Sequence, residues 1–260
     1  MRTLNDESLI LEIFSDTKKS EVVHMGNIFR CSKIYYSLTS FLFRRSWKNS
    51  SGKDDPPPDF YNNKKKLMMD VMRIDDCAFV DAKGKVQNKT LQRESFIHKK
   101  LNLPERKDLT LFVVGDSGLR GEEDHNFKRY FSNFERVFKK HEEKLDLYKK
   151  NHPGFKTIFF IMDESSAYME VYFDEDIKKK RVKGIETMAR PHIYCCDKRF
   201  VDIIKNSKVD YVIWFAPYKL MEVKGIGTFP LPKCAIYDVK NIKDKYLIEY
   251  DEKKVISIEV

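Results

Sequence analysis

The sequence lacks any apolar run that could cross a membrane. No stretch reaches the roughly 18 consecutive apolar residues that a membrane-spanning helix needs. The N-terminal residues also lack the basic segment followed by an apolar run that marks a secretory signal peptide. We therefore expect a soluble, cytoplasmic protein with no membrane partner.

Cysteine is scarce and shows no pairing pattern. The chain has five cysteines, and none of them falls in a Cys-x-x-Cys pair. This usage argues against a disulfide framework and indicates reduced thiols, most of them small core residues. Cysteine and histidine together show no zinc-ligand spacing, so we expect no structural zinc site.

The chain also lacks the motifs of several enzyme classes. Its six histidines form no His-x-x-x-His or His-Glu-x-x-His pattern. The segment Gly115-Asp116-Ser117-Gly118 matches neither a phosphate-binding Walker loop, nor a dinucleotide fingerprint, nor the elbow of serine hydrolases. His141 falls on the apolar stripe of a predicted helix, so we interpret it as a packed residue. No catalytic triad is indicated.

Acidic residues are outnumbered by basic ones. Lysine and arginine total 49 against 40 aspartates and glutamates, which gives a formal net charge of +9. This balance favours an anionic partner, and we predict nucleic acid, although a lysine-rich surface also serves solubility alone. Nothing in the sequence indicates an oligomeric state.

Hydrophobic patterning predicts one α/β domain over residues 1–260. The 42% hydrophobic content is enough for a substantial core at this length. We expect a mixed central sheet with helices on both faces. Its parts are an αβββαβ core over about 34–115, a parallel βαβ extension over about 109–216 and edge strands over 233–260.

The predicted elements follow from two patterns. Apolar residues at helical spacing predict helices, and continuous apolar runs predict strands that are buried on both faces. Helices are expected over 4–14, 34–46, 91–101, 124–150 and 198–206. Strands are expected over 59–61, 66–74, 77–81 or 77–87, 109–114, 157–162, 192–195 and 211–216.

Two acidic motifs lie among the predicted elements of the first part of the chain. Pro58-Asp59 is followed eleven residues later by Asp70-Val71-Met72. The motifs and the αβββαβ order resemble the PD-(D/E)XK nuclease superfamily over roughly residues 34–115. The resemblance implies phosphodiester hydrolysis of DNA or RNA, with Asp59, Asp70 and the carbonyl oxygen of Val71 as ligands of Mg²⁺ or Mn²⁺. Such cations prefer oxygen ligands and make a bound water more acidic.

The second motif departs from the superfamily at its lysine. Met72 stands at that position, and methionine can neither orient a water nor neutralise a phosphate. A lysine from elsewhere would have to take this role, and Lys66 on the strand and Lys99 on the next helix are the candidates. Gln92 begins that helix and resembles the glutamine of the Q-x-x-x-Y motif in the RecB-like branch.

Three other interpretations stay open. The chain could be a non-catalytic nucleic-acid-binding or interaction protein that keeps a nuclease-like fold, as the missing lysine suggests. It could be a Rossmann-like phosphate-handling enzyme, because Asp116 and Asp163 follow two predicted parallel strands and such strand ends gather ligand sites. In the plainest interpretation, Asp59 only starts a strand and Asp70 is solvated on a sheet face.

Overall fold

The computed structural model describes most of the chain. The described residues are 7–40, 45–50, 58–88, 92, 95–96, 100, 125–172, 189–219, 221–223, 227–229 and 231–258. Among them, no helix combines the length and apolar character needed to span a membrane. The predictions for strand 109–114, Lys99 and Asp116 lie outside the described residues, as does most of the predicted helix 91–101.

A seven-stranded mixed sheet forms the centre of the fold. The strands in chain order are β1 (Val22–Met25), β2 (Lys48–Asn49), β3 (Phe60–Asn62), β4 (Leu67–Ile74), β5 (Phe79–Val80), β6 (Val86–Gln87), β7 (Lys156–Asp163), β8 (Tyr168–Val171), β9 (Ala189–Pro191), β10 (Tyr211–Phe215), β11 (Met221–Val223), β12 (Gly227–Phe229), β13 (Cys234–Asp238) and β14 (Val255–Ser257). The central sheet has the order β1-β13-β10-β7-β4-β3-β2. The predicted fold class, α/β with a mixed sheet, is confirmed.

Helices cover both faces of this sheet. They are α1 (Glu7–Ser15), α2 (Ile28–Thr39), α3 (Phe127–Glu142), α4 (Leu145–Asn151) and α5 (Lys198–Lys205). The apolar residues of α1 and α2 pack on one face, and those of α3, α4 and α5 pack on the other. The side chain of Asn126 caps α3. The single helix predicted over 124–150 is wrong in detail, because the chain forms two helices, α3 and α4, separated at Glu143 and Lys144.

The middle of the sheet is parallel and fully buried. β7 pairs in parallel with both β4 and β10, and β10 is buried along its whole length. Strands covered on both faces read as continuous apolar runs, which is why the predictions for 157–162 and 211–216 are confirmed. The prediction that 233–260 contains only edge strands is wrong, because β13 lies inside the sheet between β1 and β10.

A similar order occurs among the elements of the central sheet, but its boundaries differ from those predicted, the hairpin β5-β6 lies between β4 and α3, and most of residues 89–124 lie outside the described part of the chain. This order consists of α2, the antiparallel meander β2-β3-β4, the helices α3 and α4, and β7 parallel to β4. The predicted third strand over 77–87 is instead a separate hairpin of β5 and β6. In the central sheet, the three-stranded unit is instead completed by the edge strand β2. The predicted helix over 34–46 begins earlier, at Ile28, and ends at Thr39.

Smaller sheets complete the described chain. β8 pairs with β9 and β14, and β11 pairs with β12. The strand predicted over 192–195 is wrong: the strand β9 ends at Pro191, and Tyr194–Cys196 forms a 3-10 turn. That turn leads into α5, which confirms the helix predicted over 198–206.

Candidate functional site

The register of the β3-β4 hairpin brings Asp59 and Asp70 together. Phe60 pairs with Met69, so the next residues outward, Asp59 and Asp70, face each other across the hairpin. Side chains directly opposite in an antiparallel pair lie on the same face with Cβ atoms about 4.5–5.5 Å apart. Asp59 also accepts a hydrogen bond from the backbone N–H of Val71 at 2.7 Å. Asp59 and Asp70 therefore lie next to each other at the open end of this strand pair.

The surroundings of Asp59 make its carboxyl group harder to ionise. Burial, and then the charge of Asp70, raise the pKa of Asp59 to about 7. A side-chain hydrogen bond between the two carboxyl groups adds to this rise, and the N–H of Val71 partly opposes it. Below about pH 7 Asp59 therefore retains a proton, which a cation bound at the pair would displace.

Two side chains from the helical layer contact Asp70. The Nδ1 atom of His141 on α3 lies 2.5 Å from one carboxylate oxygen of Asp70, and the hydroxyl of Tyr148 on α4 donates to the other at 3.3 Å. Burial and the charges of Asp70 and Asp59 raise the pKa of Tyr148 well above its usual range, so the hydroxyl keeps its proton. Asp70 itself is only 3% exposed.

Sequence reasoning interprets His141 as a packed residue and does not single out Tyr148. Both residues lie on the helical stripe that faces β4. The sequence signal for a polar role of His141 is its position among the apolar residues of this stripe. A polar group buried there needs a partner. The sequence does not indicate which partner that is.

A cavity of about 320 Å³ adjoins this pair at the edge of β4. Glu7 from α1, Val71 from β4, and Arg136, Lys140 and His141 from α3 line it. Among the described strands, β3 pairs with β4 only as far as Met69, so the edge of β4 beyond that point borders this cavity. The charge of Glu7 also contributes to the raised pKa of Asp59. The lining of the cavity thus combines one carboxylate, Glu7, with the cationic side chains of Arg136 and Lys140.

The position of the family lysine is part of the core. Met72 shares the face of Asp70 but is only 2% exposed and packs with the helical layer. Its neighbour Arg73 makes a two-pronged ion pair with Glu164, with nitrogen–oxygen distances of 2.7 and 3.0 Å. Neither side chain therefore replaces the lysine at the acidic pair.

The other predicted site residues lie away from the pair. Lys66 is exposed in the turn before β4 with a φ of 51°, four residues and about 13 Å along the strand from Asp70. Gln92 is exposed and hydrogen-bonds to Gln87 of β6 at 3.3 Å. Lys99 lies outside the described residues. The structure therefore brings Asp59, Asp70 and Val71 together but not Lys66 or Gln92.

Asp163, the acid of the phosphate-handling alternative, is fully buried at the end of β7. Its carboxylate accepts hydrogen bonds from Tyr130 at 2.6 Å, Trp214 at 2.8 Å and Ser165 at 2.6 Å. The ammonium of Lys219 lies 3.5 Å away. These partners occupy the carboxylate, and the predicted neighbour Asp116 lies outside the described residues.

Comparisons with protein families, curated proteins and solved structures find no match for this chain. Functional inference therefore depends on the geometry of the site. Two converging carboxylates beside a strand edge offer hard oxygen donors, which are the ligands that Mg²⁺ and Mn²⁺ prefer. The residues at the edge of β4 fit such a cation.

Proposed function

We propose that this protein is a divalent-metal-dependent nuclease in which Asp59 and Asp70 hold Mg²⁺ or Mn²⁺. The observation that carries the proposal is the proximity of these two aspartates, whose carboxyl groups interact and of which Asp59 is bonded to the N–H of Val71, next to a cavity that Val71, Arg136 and Lys140 line. The αβββαβ order of the surrounding elements agrees with the resemblance of the two acidic motifs. The carbonyl oxygen of Val71, whose residue lines the same cavity, is the further ligand that this resemblance implies.

The residues around the pair have separable roles in this proposal. The N–H of Val71 fixes Asp59, while His141 and Tyr148 fix Asp70, so both carboxylates are held before any ligand arrives. Ligands with fixed orientation lose less freedom on binding. When bound, the cation would make a coordinated water more acidic and offset charge that builds on the phosphate.

Lys140 is the residue that we assign to the role of the missing lysine. It lies one position before His141 on α3, and it lines the cavity together with Arg136. An ammonium at this place can neutralise a phosphate oxygen next to the carboxylate pair. The lysine function would then come from the helix that packs on β4 rather than from β4 itself.

A second cavity supports a polyanionic partner. It has a volume of about 630 Å³ and lies at the start of β4, β7 and β10, where α2 packs. Four basic side chains line it: Arg30, Lys33, Lys65 and Lys156. No acidic residue is among the described lining residues. Leu67, at this cavity, is three residues and about 10 Å from Asp70 along β4. A nucleic-acid backbone can span that distance.

The test is cleavage of single-stranded DNA, duplex DNA and RNA in Mn²⁺, with two matched pairs of variants. Asp70→Asn should abolish cleavage, whereas Asp146→Asn, which changes an exposed acid on α4, should leave it intact. Lys140→Met should lower the rate about 100-fold, and its exposed neighbour Lys139→Met should change it little. Cleavage that persists in Asp70→Asn, or that falls equally in both lysine variants, contradicts the proposal.

The buried Met72 favours a second candidate function, a nucleic-acid-binding protein without catalysis. In that case wild type binds nucleic acid but does not cleave any of the three substrates. The affinity should then depend strongly on salt. Replacement of Lys33 and Lys156 by glutamine should reduce the slope of log affinity against log salt by about one for each phosphate that the variant no longer neutralises. Lys253→Gln is the exposed control outside this cavity.

A further inference from the structure

A second group of ligand-type side chains lies where β4 ends and α3 begins. Asp76 and Cys77 follow β4 in a turn, and His125 lies directly before the cap of α3. One ligand atom from each of the three residues lies within 4.8 Å of the others. Cys77 and His125 are far apart in sequence, so no short motif could have indicated this cluster.

Two of the distances between these atoms are close to those of tetrahedral coordination. One carboxylate oxygen, Oδ1 of Asp76, lies 3.1 Å from Nδ1 of His125 and 3.5 Å from Sγ of Cys77. Zinc bonds of about 2.0–2.1 Å to nitrogen and oxygen and about 2.3 Å to sulfur separate tetrahedral ligand atoms by about 3.3–3.6 Å. These two distances therefore need only small adjustments, and the third pair, His125 and Cys77, lies within 4.8 Å.

The surroundings hold Asp76 in one orientation. Its other carboxylate oxygen accepts hydrogen bonds from the backbone N–H and hydroxyl of Ser166, at 2.9 and 2.8 Å, and from the hydroxyl of Tyr168 at 2.6 Å. These donors leave Oδ1 directed at His125 and Cys77. Hydrogen bonds to a ligating carboxylate are the usual support of a metal site.

The turn that carries Cys77 is fixed as well. Asp75 accepts hydrogen bonds from the N–H groups of Cys77 and Ala78 at 3.1 and 2.7 Å. The amide of Asn133 on α3 donates to the carbonyl of Asp75 at 3.1 Å. The cluster thus lies on a rigid junction between the strand that carries Asp70 and the helix that carries His141.

We infer that Asp76, Cys77 and His125 bind one Zn²⁺ ion, with water as the fourth ligand. A set of one sulfur, one nitrogen and one oxygen suits zinc and not Mg²⁺. The thiol of Cys77 releases its proton to solvent when the Zn–S bond forms. The ion ties the end of β4 to the start of α3, and it is separate from the proposed Asp59–Asp70 site.

Cobalt substitution tests this inference on the full chain. Co²⁺ added to the metal-free protein should give near-ultraviolet thiolate-to-cobalt absorption, which the Asp59–Asp70 pair cannot produce, and Zn²⁺ should then abolish it. Cys77→Ser should remove this absorption, and His125→Gln should weaken Co²⁺ binding by at least about 100-fold. Cys196→Ser, a half-buried thiol elsewhere, and Asp70→Asn should both retain it.

Absence of the thiolate absorption in wild type overturns the inference, whatever the variants do. It is also overturned if the absorption survives in Cys77→Ser or disappears in Cys196→Ser. Circular dichroism of each variant shows whether a missing signal reflects a missing ligand or an unfolded chain. Because Asp70→Asn leaves this site untouched, failure of the nuclease proposal and failure of the zinc inference are distinguishable.

Discussion

Two buried acidic centres on neighbouring strands have opposite surroundings. At the end of β7, in the middle of the sheet, Asp163 receives donors from Tyr130, Trp214 and Ser165 and lies beside the buried ammonium of Lys219. At the edge, on β4, Asp70 lies against a second carboxylate, Asp59. The central acid lies beside a buried ammonium, whereas the edge brings two carboxyl groups together, with His141 and Tyr148 as partners of Asp70.

The comparison shows that burial alone does not define the state of a carboxylate. Asp197 is also completely buried, and burial alone would raise its pKa. Hydrogen bonds from His192 and Arg199 outweigh that effect, so the pKa of Asp197 is lowered. At Asp59 the neighbouring like charge acts in the same direction as burial. The repulsion between Asp59 and Asp70 supports the proposal that this pair binds an external cation.

The largest expected effect concerns the central acid. Asp163→Asn leaves the ammonium of Lys219 without the charge of Asp163, and breaking a buried ion pair costs about 3–5 kcal/mol. Urea unfolding should show a loss of that size in the free energy of unfolding. The same exchange at the edge, Asp59→Asn, should not destabilise above pH 7. Equal losses at both positions would remove the contrast between the two centres.

The next effect is a pH dependence at the edge. The folded pKa of Asp59, about 7, exceeds its ordinary value of 3.8. Between these values the folded state retains a proton that the unfolded state has released. The contribution of Asp59 to stability is therefore full below about pH 4 and decreases as pH rises to about 7, by at most about 1.4 kcal/mol per pH unit.

Urea unfolding of wild type and Asp59→Asn across this pH range measures that contribution. The difference in unfolding free energy between the two proteins should change in favour of the variant as pH rises, and then level off above pH 7. A difference that stays constant across the range would mean that Asp59 does not retain a proton.

The smallest effect concerns the support of Asp70. Tyr148→Phe removes one hydrogen bond to this carboxylate and should lower the free energy of unfolding by about 1 kcal/mol. Tyr246→Phe, which changes an exposed ring, is the control. Thermal unfolding compares the two variants. A larger cost in the control would contradict the assigned role of Tyr148.

The sequence predicts the elements whose residues have one dominant environment. β7 and β10 are buried on both faces, so their apolar runs are visible without any structure. β2 is two exposed polar residues, Lys48 and Asn49, and shows no pattern at all. Its membership in the sheet depends only on pairing with β3.

The candidate site likewise contains some residues that the sequence alone could predict and others that it could not. Asp59 and Asp70 lie on adjacent strands of one hairpin, so local sequence spacing is enough to propose them. His141, Tyr148 and Lys140 reach the pair from helices whose position depends on packing across the whole sheet. Lys66 is close to Asp70 in sequence, but four residues of an extended strand separate the two by about 13 Å.

The most direct measurement of the central claim is calorimetric titration of Mn²⁺ into wild type and Asp70→Asn at pH 6, in buffers of different ionisation enthalpy. We predict a site in wild type whose occupation releases close to one proton, because the cation displaces the proton that Asp59 retains at this pH. Asp70→Asn should not bind at that site, and the exposed control Asp146→Asn should bind as wild type does. Absence of binding in wild type, or equal binding in Asp70→Asn, would contradict the assignment of this pair as a metal site.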